Sequence, residues 1–273
     1  MRRKNYRNLT CLLFFITSLS FCKAPVIATN SENRPQLRVE NWQEAALTID
    51  GIDDDWDLTQ CRIDSTSQLI YKISNDANFL YICLKSNNDC IKMRILEAGM
   101  CLYVNTDGKK KETAGIIFPI ANRTSLKPIH RKIYKIDSSN KYKYFNDLKE
   151  YSIFGLGGIE SSRLFAYEGD NELNIAVKTG LNKRFELVYE AAIPLTLLNT
   201  TDIAGITKPS KIIALGIVVN PFPKPSTMND FFIPDINTGK AMPPIFKGIP
   251  TTPEDLFFKE TKIWSIVNIV APR

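Results

Sequence analysis

Apolar and polar residues alternate along much of the chain from about residue 45 onward, and a period of two is typical of β-strands. In residues 68–74, Leu69, Tyr71 and Ile73 take alternate positions, and the turn-forming sequence NDAN follows them. Residues 79–85 then form an apolar run, which is typical of a strand buried on both faces. Together the two runs predict a β-hairpin.

The same pattern predicts further strands. Residues 100–104 and 115–120 are predicted to pair as a second hairpin, with Asp107 and Gly108 in its turn, because glycine tolerates positive φ. Three runs predict a meander: 163–167, 172–178 and 184–191. After it come a single helical turn at 193–198, a buried central strand at 211–220 and a final strand at 261–270. No amphipathic stretch is long enough to predict a longer helix.

Short strands that recur roughly every 8–12 residues predict an all-β fold. We expect an antiparallel β-sandwich, immunoglobulin-like or jelly-roll-like, over residues 45–273. Proline-rich sequence after Asn220 predicts long loops of this one domain rather than a second domain.

The N-terminus has the features of a secretory signal. Residues 1–28 combine a basic start, a 12-residue apolar stretch at 11–22 and a small-residue cleavage site at Val26 and Ala28. The apolar stretch is too short to cross a hydrocarbon layer of ~30 Å as a helix. A lipidated Cys22 is the alternative to plain cleavage. We therefore expect an exported protein, periplasmic, cell-surface or secreted, with a polar leader at 29–44.

The net charge of +6 comes mostly from this signal. Cleavage after Ala28 removes five basic residues and no acidic ones, which leaves 30 basic and 29 acidic residues. A nearly neutral exported chain gives no electrostatic reason to expect nucleic-acid binding, or membrane binding other than through a lipid on Cys22.

Four cysteines remain after cleavage: Cys61, Cys83, Cys90 and Cys101. An even number in an exported protein permits two disulfides, in three possible pairings. Four small buried apolar residues are the alternative. No C-x-x-C spacing occurs, so a zinc site is not indicated.

The segment LTIDGIDDDWD, residues 47–57, contains five aspartates around Gly51 and Trp56. Carboxylates and carbonyls are calcium ligands, so a structural calcium is one interpretation, although the EF-hand pattern is not met. Catalytic carboxylates are a second interpretation and would need partners elsewhere. A turn is the third, in which Ile49 ends a strand, Gly51 breaks it and Trp56 folds back over the edge of the core. Candidate metal ligands are Asp53, Asp55, Asn105 and Asp107.

Several motifs in order resemble the carbohydrate-binding module family nine-like domains of bacterial exported proteins. They are IDGIDDDW at 49–56, NDANFLYI at 75–82, GMCLYVNTDG at 99–108, FELVYEAAIPLTLL at 185–198 and ALGIVVN at 214–220. The resemblance implies a β-sandwich related to the DOMON domains, without catalysis. It implies that the acidic segment is structural, with Asp50 and Gly51 in the turn and Trp56 as a lid on the core.

The resemblance also implies sugar binding, which the better-known members achieve with two tryptophans. Trp42 is predicted to lie exposed just before the first strand, while Trp56 and Trp264 are expected to be structural. No tryptophan pair is matched here, so a loop platform is the alternative site. The candidate ligand-binding residues are Trp42, Phe222, Asn229, Asp230, Phe231 and Phe232.

An enzyme is not expected, because the chain has one histidine, His130, and no G-x-S-x-G elbow. The expected function is non-catalytic binding of a glycan or glycoconjugate at the cell envelope. A structural or adhesive protein that binds a protein partner is an alternative. A small-ligand or haem carrier, with His130 and Met93 or Met100 on the iron, is another.

Overall fold

The two predicted hairpins lie near the centres of two different sheets in the computed structural model. It describes residues 38–39, 41–121, 145–146, 148–198, 212–223 and 257–270. The predictions made for the signal at 1–28 and for His130 lie outside these residues. The described strands are β1 (Arg38–Val39), β2 (Asn41–Trp42), β3 (Arg62–Asp64), β4 (Leu69–Asn75), β5 (Phe79–Ser86), β6 (Met100–Asn105), β7 (Gly115–Ile117), β8 (Glu150–Phe154), β9 (Arg163–Ala166), β10 (Ala176–Leu181), β11 (Leu187–Pro194), β12 (Ile212–Val219) and β13 (Thr261–Asn268).

Within the described residues the strands form a seven-stranded and a six-stranded sheet. The first has the order β1-β13-β12-β6-β7-β8-β9. The second has the order β10-β11-β5-β4-β2, and β3 also pairs with β4. Neighbours are antiparallel, except that β1 is parallel to β13 and β2 is parallel to β4. The predicted all-β sandwich is therefore confirmed.

The main core lies between the sheets and follows the period of two. On β5, Leu80, Ile82 and Leu84 are buried in this core, and on β12 Leu215 and Ile217 meet them from the other sheet. The outer face of β5 is buried as well, as its continuous apolar run predicts. A layer outside the six-stranded sheet must therefore cover it.

Helical structure is short among the described residues. It comprises α1 (Asp89–Met93), a π-helical turn at Arg94–Ala98 and two 3₁₀ turns, Leu58–Gln60 and Leu195–Leu198, the last of which was predicted. In this part of the chain no helix is long and apolar enough to cross a membrane. The fully buried Arg94 guanidinium donates to the carbonyls of Val219, Asn220 and Lys259. It thereby ties the helical segment to the adjacent ends of β12 and β13.

The predicted meander is wrong in one respect. Strand β9 pairs with β8 in the seven-stranded sheet, whereas β10 pairs with β11 in the other sheet. The chain thus changes sheet between Ala166 and Ala176. Alternation of side chains identifies strands but does not say which strands pair.

The strand predicted to end at Ile49 is also absent, because residues 43–57 contain no strand. Leu47 and Ile49 alternate with polar residues, but they pack onto a sheet from outside rather than pairing with one of its strands.

All four cysteines of the predicted mature chain are free thiols. Cys83 and Cys101 are buried, as the alternative without disulfides predicts, whereas Cys61 and Cys90 are half-buried. Met93 and Met100, the candidate haem ligands, lie in the main core and are 3% and 0% exposed.

Replacement of an inward-facing isoleucine tests the assignment of the core. Ile82→Ala should destabilise the protein by about 2–5 kcal/mol, since it leaves a cavity between the sheets. Ile63→Ala, at a side chain that is 71% exposed on β3, should change the stability by less than about 0.5 kcal/mol. Urea unfolding of both variants measures the difference, and equal losses would contradict the assignment.

Candidate functional site

The acidic segment lies across the outer face of the six-stranded sheet. We call residues 46–57 the strap. It contacts four strands in turn, through Gly180 on β10, Glu190 on β11, Lys85 on β5 and Lys72 on β4. The strap is therefore the layer that buries the outer face of β5 and β11.

Glu190 fastens the middle of the strap and is fully buried. Its Oε2 accepts the backbone N–H groups of Asp50 and Gly51 at 3.1 and 2.6 Å, and its Oε1 accepts the Trp56 indole N–H at 2.5 Å. Burial raises the pKa of Glu190 to about 7, although the three donors act in the opposite direction. A carboxyl group in the sheet thus determines where the strap turns.

Ion pairs hold the rest of the strap. Asp53 pairs with Lys85, whose ammonium group lies 3.1 Å from Glu186, and Asn182 donates to both carboxylates. Burial raises the pKa of Asp53 and of Glu186, but Lys85 and Asn182 outweigh it, so both pKa values are lowered overall. These carboxylates therefore stay charged and keep the buried Lys85 neutralised.

Further along the strap, the buried Lys72 ammonium donates to the Asp57 backbone carbonyl and lies 3.6 Å from its carboxylate. Asp55 binds within the strap, where it accepts the Thr48 N–H at 2.8 Å. The pair of Asp54 with Lys183 is exposed and adds little to stability.

Two glycines let the strap approach the sheet. A Cβ on Gly51 would lie 2.9 Å from the Thr179 carbonyl carbon, and one on Gly180 would lie 2.5 Å from the Gly51 carbonyl oxygen. Gly51 also has φ +85°, a conformation that other residues rarely adopt. Backbone therefore packs directly on backbone where the strap crosses β10.

A second apolar cluster lies between the strap and the sheet. Trp56 and Leu47 cover Tyr81 and Cys83 of β5, together with Val188 and Ala192 of β11. Trp56 is 7% exposed, so it acts as a lid, but on the outer face of one sheet rather than on the edge of the main core.

The segment that changes sheet lies beside the strap. We call residues 167–175 the crossing loop. The Asn171 Oδ1 accepts the N–H groups of Leu173 and Ile175, and its Nδ2 donates to the Tyr151 hydroxyl and the Ile175 carbonyl. The crossing loop therefore has a defined shape without being a strand.

A cleft of about 530 Å³ opens between the strap and the crossing loop. Its apolar floor is the half-buried Phe79, whose ring centroid lies 6.0 Å from that of the buried Tyr81, and its strap wall is Ala46, Leu47 and Ile49. Opposite lie Asp170 and Asn174, both exposed, whose side chains make no hydrogen bond among the described residues. An apolar floor that faces unpaired planar polar groups suits a small polar ligand with an apolar side.

Lys178 completes the rim of the cleft on β10. Its ammonium group lies 2.9 Å from the Glu168 carboxylate and 4.2 Å from the centre of the Tyr167 ring. Tyr167 in turn stacks on Phe118, with centroids 4.8 Å apart. Because Lys178 is neutralised, the rim does not select for a negatively charged ligand.

The residues predicted to bind a ligand lie elsewhere or outside the described part. Trp42 is half-buried in β2 beside β4. Phe222 is 2% exposed and stacks on Phe257 in the main core, so it presents no ring face to a ligand. Asn229, Asp230, Phe231 and Phe232 lie outside the described residues.

The four predicted metal ligands are divided between the sheets. Asp53 and Asp55 belong to the strap, and Asp53 is engaged by Lys85. Asn105 ends β6 in the other sheet, where its Oδ1 accepts the N–H of Asp107 at 2.9 Å. In the described residues no group of three or more His, Cys, Asp or Glu side chains could hold a metal ion. Calcium binding stays a prediction.

The cleft residues Phe79, Asp170 and Asn174 were not predicted as site residues. EGDN at 168–171 has a turn signature, and the meander interpretation placed it at the tip of a hairpin. The strands on either side of EGDN, β9 and β10, belong to different sheets. The segment therefore crosses from one sheet to the other and forms a wall of the cleft instead of the tip of a hairpin.

Two solved structures of carbohydrate-binding modules of family 9 from Caldicellulosiruptor kristjanssonii match this chain. The one in complex with glucose is 12% identical, with a TM-score of 0.37, and the match covers 86% of this chain and 95% of that one. The one in complex with cellotriose is 15% identical, with a TM-score of 0.33, over 67% and 75%. This chain is similar to carbohydrate-binding modules of family 9. The predicted resemblance is confirmed in that sense, and the relation to DOMON domains stays a prediction. No family profile and no curated protein matches the sequence.

The role of Asn171 in shaping the cleft can be tested by its removal. Asn171→Ala leaves the N–H groups of Leu173 and Ile175 without their acceptor and removes one of the two donors to the Ile175 carbonyl, which should cost about 1–3 kcal/mol. Asp170→Asn, at the neighbouring exposed position, should leave the melting temperature nearly unchanged. Thermal unfolding of both variants measures this, and a stable Asn171→Ala protein would contradict the role of Asn171.

Proposed function

We propose that the protein is an exported, non-catalytic glycan-binding protein of the cell envelope and that the cleft between strap and crossing loop is its sugar site. The observation that carries the proposal is that the half-buried ring of Phe79 and the side chains of Asp170 and Asn174, which make no hydrogen bond among the described residues, line the same cleft. Pyranose rings have an apolar C–H side and a rim of hydroxyl groups. Aromatic surface complements the first, and carboxylate or amide groups complement the second.

The composition of the cleft favours binding over hydrolysis. Among its described lining residues Asp170 is the one carboxylate, whereas glycoside hydrolysis generally uses a pair of carboxylates on either side of the bond. Since the Lys178 charge is neutralised by Glu168, the cleft suits a neutral sugar. The haem-carrying alternative has no comparable support, because Met93 and Met100 are enclosed in the core.

Loss of either free polar group should weaken sugar binding. Asp170→Ala removes hydrogen bonds to a charged acceptor, so we expect affinity to fall about 10- to 100-fold. Asn174→Gly should have a smaller effect in the same direction, and glycine suits the φ of +52° at this position. Calorimetry with glucose and cellotriose, followed by a glycan array with calcium and again with EDTA, provides the measurement.

Variants of the other predicted platform serve as controls. Trp42→Ala and Phe231→Ala should leave the affinity unchanged if the cleft is the site. Loss of binding in those variants, with Asp170→Ala unaffected, would move the site to the platform. Loss of binding in EDTA alone would bring a metal into the site, and no binding to any sugar would refute the proposed function.

A further inference from the structure

We propose that Glu190 is a positioning residue for the cleft, and that its uptake of a proton favours the closed strap, so that ligand binding weakens as the pH rises through neutrality. The expected change in ligand binding rests on the proposed function. The dependence of strap closure on the protonation of Glu190 concerns the strap alone and can be measured without a ligand.

The strap and the cleft share residues, which is why Glu190 acts on the cleft. Leu47 and Ile49 of the strap line the cleft. The next two residues, Asp50 and Gly51, donate their N–H groups to Glu190. On the sheet side, Ala192 of β11 lines the cleft two residues beyond Glu190. A strap that lifts from Glu190 therefore withdraws the apolar wall.

The closed strap disfavours the charged form of Glu190. The carboxyl group is excluded from water, and within the described residues no ion pair joins it to lysine or arginine. The neutral acid keeps all three hydrogen bonds, because its carbonyl oxygen can accept two N–H groups and its hydroxyl oxygen one. It does so without the cost of a buried charge. When the strap lifts, water solvates the carboxylate.

Other charged groups on this face do not explain a change near neutral pH. Burial raises the pKa of the Cys83 thiol well above its usual value, and Asp53 and Glu186 have lowered pKa values. The titratable and charged groups that share the outer face or the strap with Glu190 are Asp50, Asp53, Asp54, Asp55 and Asp57 of the strap, Tyr81, Cys83 and Lys85 of β5, Lys72 of β4, Lys178 of β10 and Glu186, which immediately precedes β11.

The sign follows from linkage. An acid whose pKa is raised to about 7 in the closed state, from an ordinary value of 4.5, binds its proton more tightly when the strap is closed. Its contribution to strap closure is complete below pH 4.5 and is lost as the pH rises through about 7. Between about pH 6 and pH 8 the closing equilibrium should fall roughly tenfold.

Hydrogen exchange of the Gly51 amide, measured by NMR and corrected for intrinsic exchange, tests the strap directly. In the wild type, protection should fall about tenfold between about pH 6 and pH 8. In Glu190→Gln, a neutral side chain of the same size, protection should not change over this range. Glu186→Gln, at the acid that immediately precedes β11 and pairs with Lys85, should keep the wild-type profile. So should His130→Asn, which removes the one histidine of the chain.

Two further variants should move the midpoint in opposite directions, which a merely structural role would not do. Trp56→Phe removes a donor that lowers the pKa of Glu190, so the midpoint should rise. Asp50→Asn removes a negative charge that raises this pKa, so the midpoint should fall. These variants decide the question even where Glu190→Gln does not fold.

Protection that is independent of pH in the wild type would overturn the inference. So would a profile that moves with His130, or midpoints that do not respond to Trp56 and Asp50. Calorimetry with cellotriose at the same two pH values then tests whether strap closure controls binding. The affinity for cellotriose should fall from about pH 6 to about pH 8, together with the protection of the Gly51 amide. A strap that titrates in a protein that binds no sugar would leave the role of Glu190 standing and refute the proposed function.

Discussion

The buried carboxyl group of Glu190 requires hydrogen-bond donors, and this requirement fixes the strap on the outer face of the six-stranded sheet. Glu190 is in the middle of β11 on a face that would meet solvent in a two-layer sandwich, yet it is fully buried. A buried acid requires donors, and the strap supplies them from Asp50, Gly51 and Trp56. Once the strap is held there, its aspartates neutralise two buried lysines of the same face, Lys72 and Lys85. The acidic segment thus meets the buried polar and charged side chains that lie beneath it.

The cleft arises where regular structure is interrupted twice. On one side the strap lies across the strands, and on the other the crossing loop takes the chain from one sheet to the other. Each is fixed by a single side chain that satisfies several backbone groups, Glu190 for the strap and Asn171 for the crossing loop. The sheet beneath supplies Phe79 as a rigid floor. Loops held on a rigid scaffold are the usual place for binding residues, because their sequence can vary without loss of the core.

The sequence predicts where the strands are better than it predicts which strands pair with each other. Both hairpins, the central strand and the final strand are confirmed, because each depends on local alternation and on turns such as NDAN. The meander prediction failed between β9 and β10, because β9 pairs with β8 in one sheet and β10 pairs with β11 in the other, and local alternation does not say where the chain changes sheet. The strand predicted to end at Ile49 failed because alternation also describes a segment packed on a sheet from outside. The cleft could not be predicted for the same reason: Phe79 and Asp170 are brought together only by the change of sheet. A buried Glu190 leaves a faint sequence signal, as an acid within the otherwise apolar end of β11.

The charges beneath the strap oppose one another in their dependence on pH. Asp53 and Glu186 have lowered pKa values, so their contribution to stability is present above their ordinary pKa and is lost as the pH falls through the lowered one. Glu190 has a raised pKa, so its contribution to stability is present at low pH and is lost as the pH rises through about 7. Acid therefore loosens the attachment of the strap at Asp53, which Lys85 holds, whereas base loosens the attachment at Asp50 and Gly51, next to the residues that form the wall of the cleft. Both attachments are intact together only in a mildly acidic interval between the two ranges, and in that interval the strap holds the cleft in a single shape.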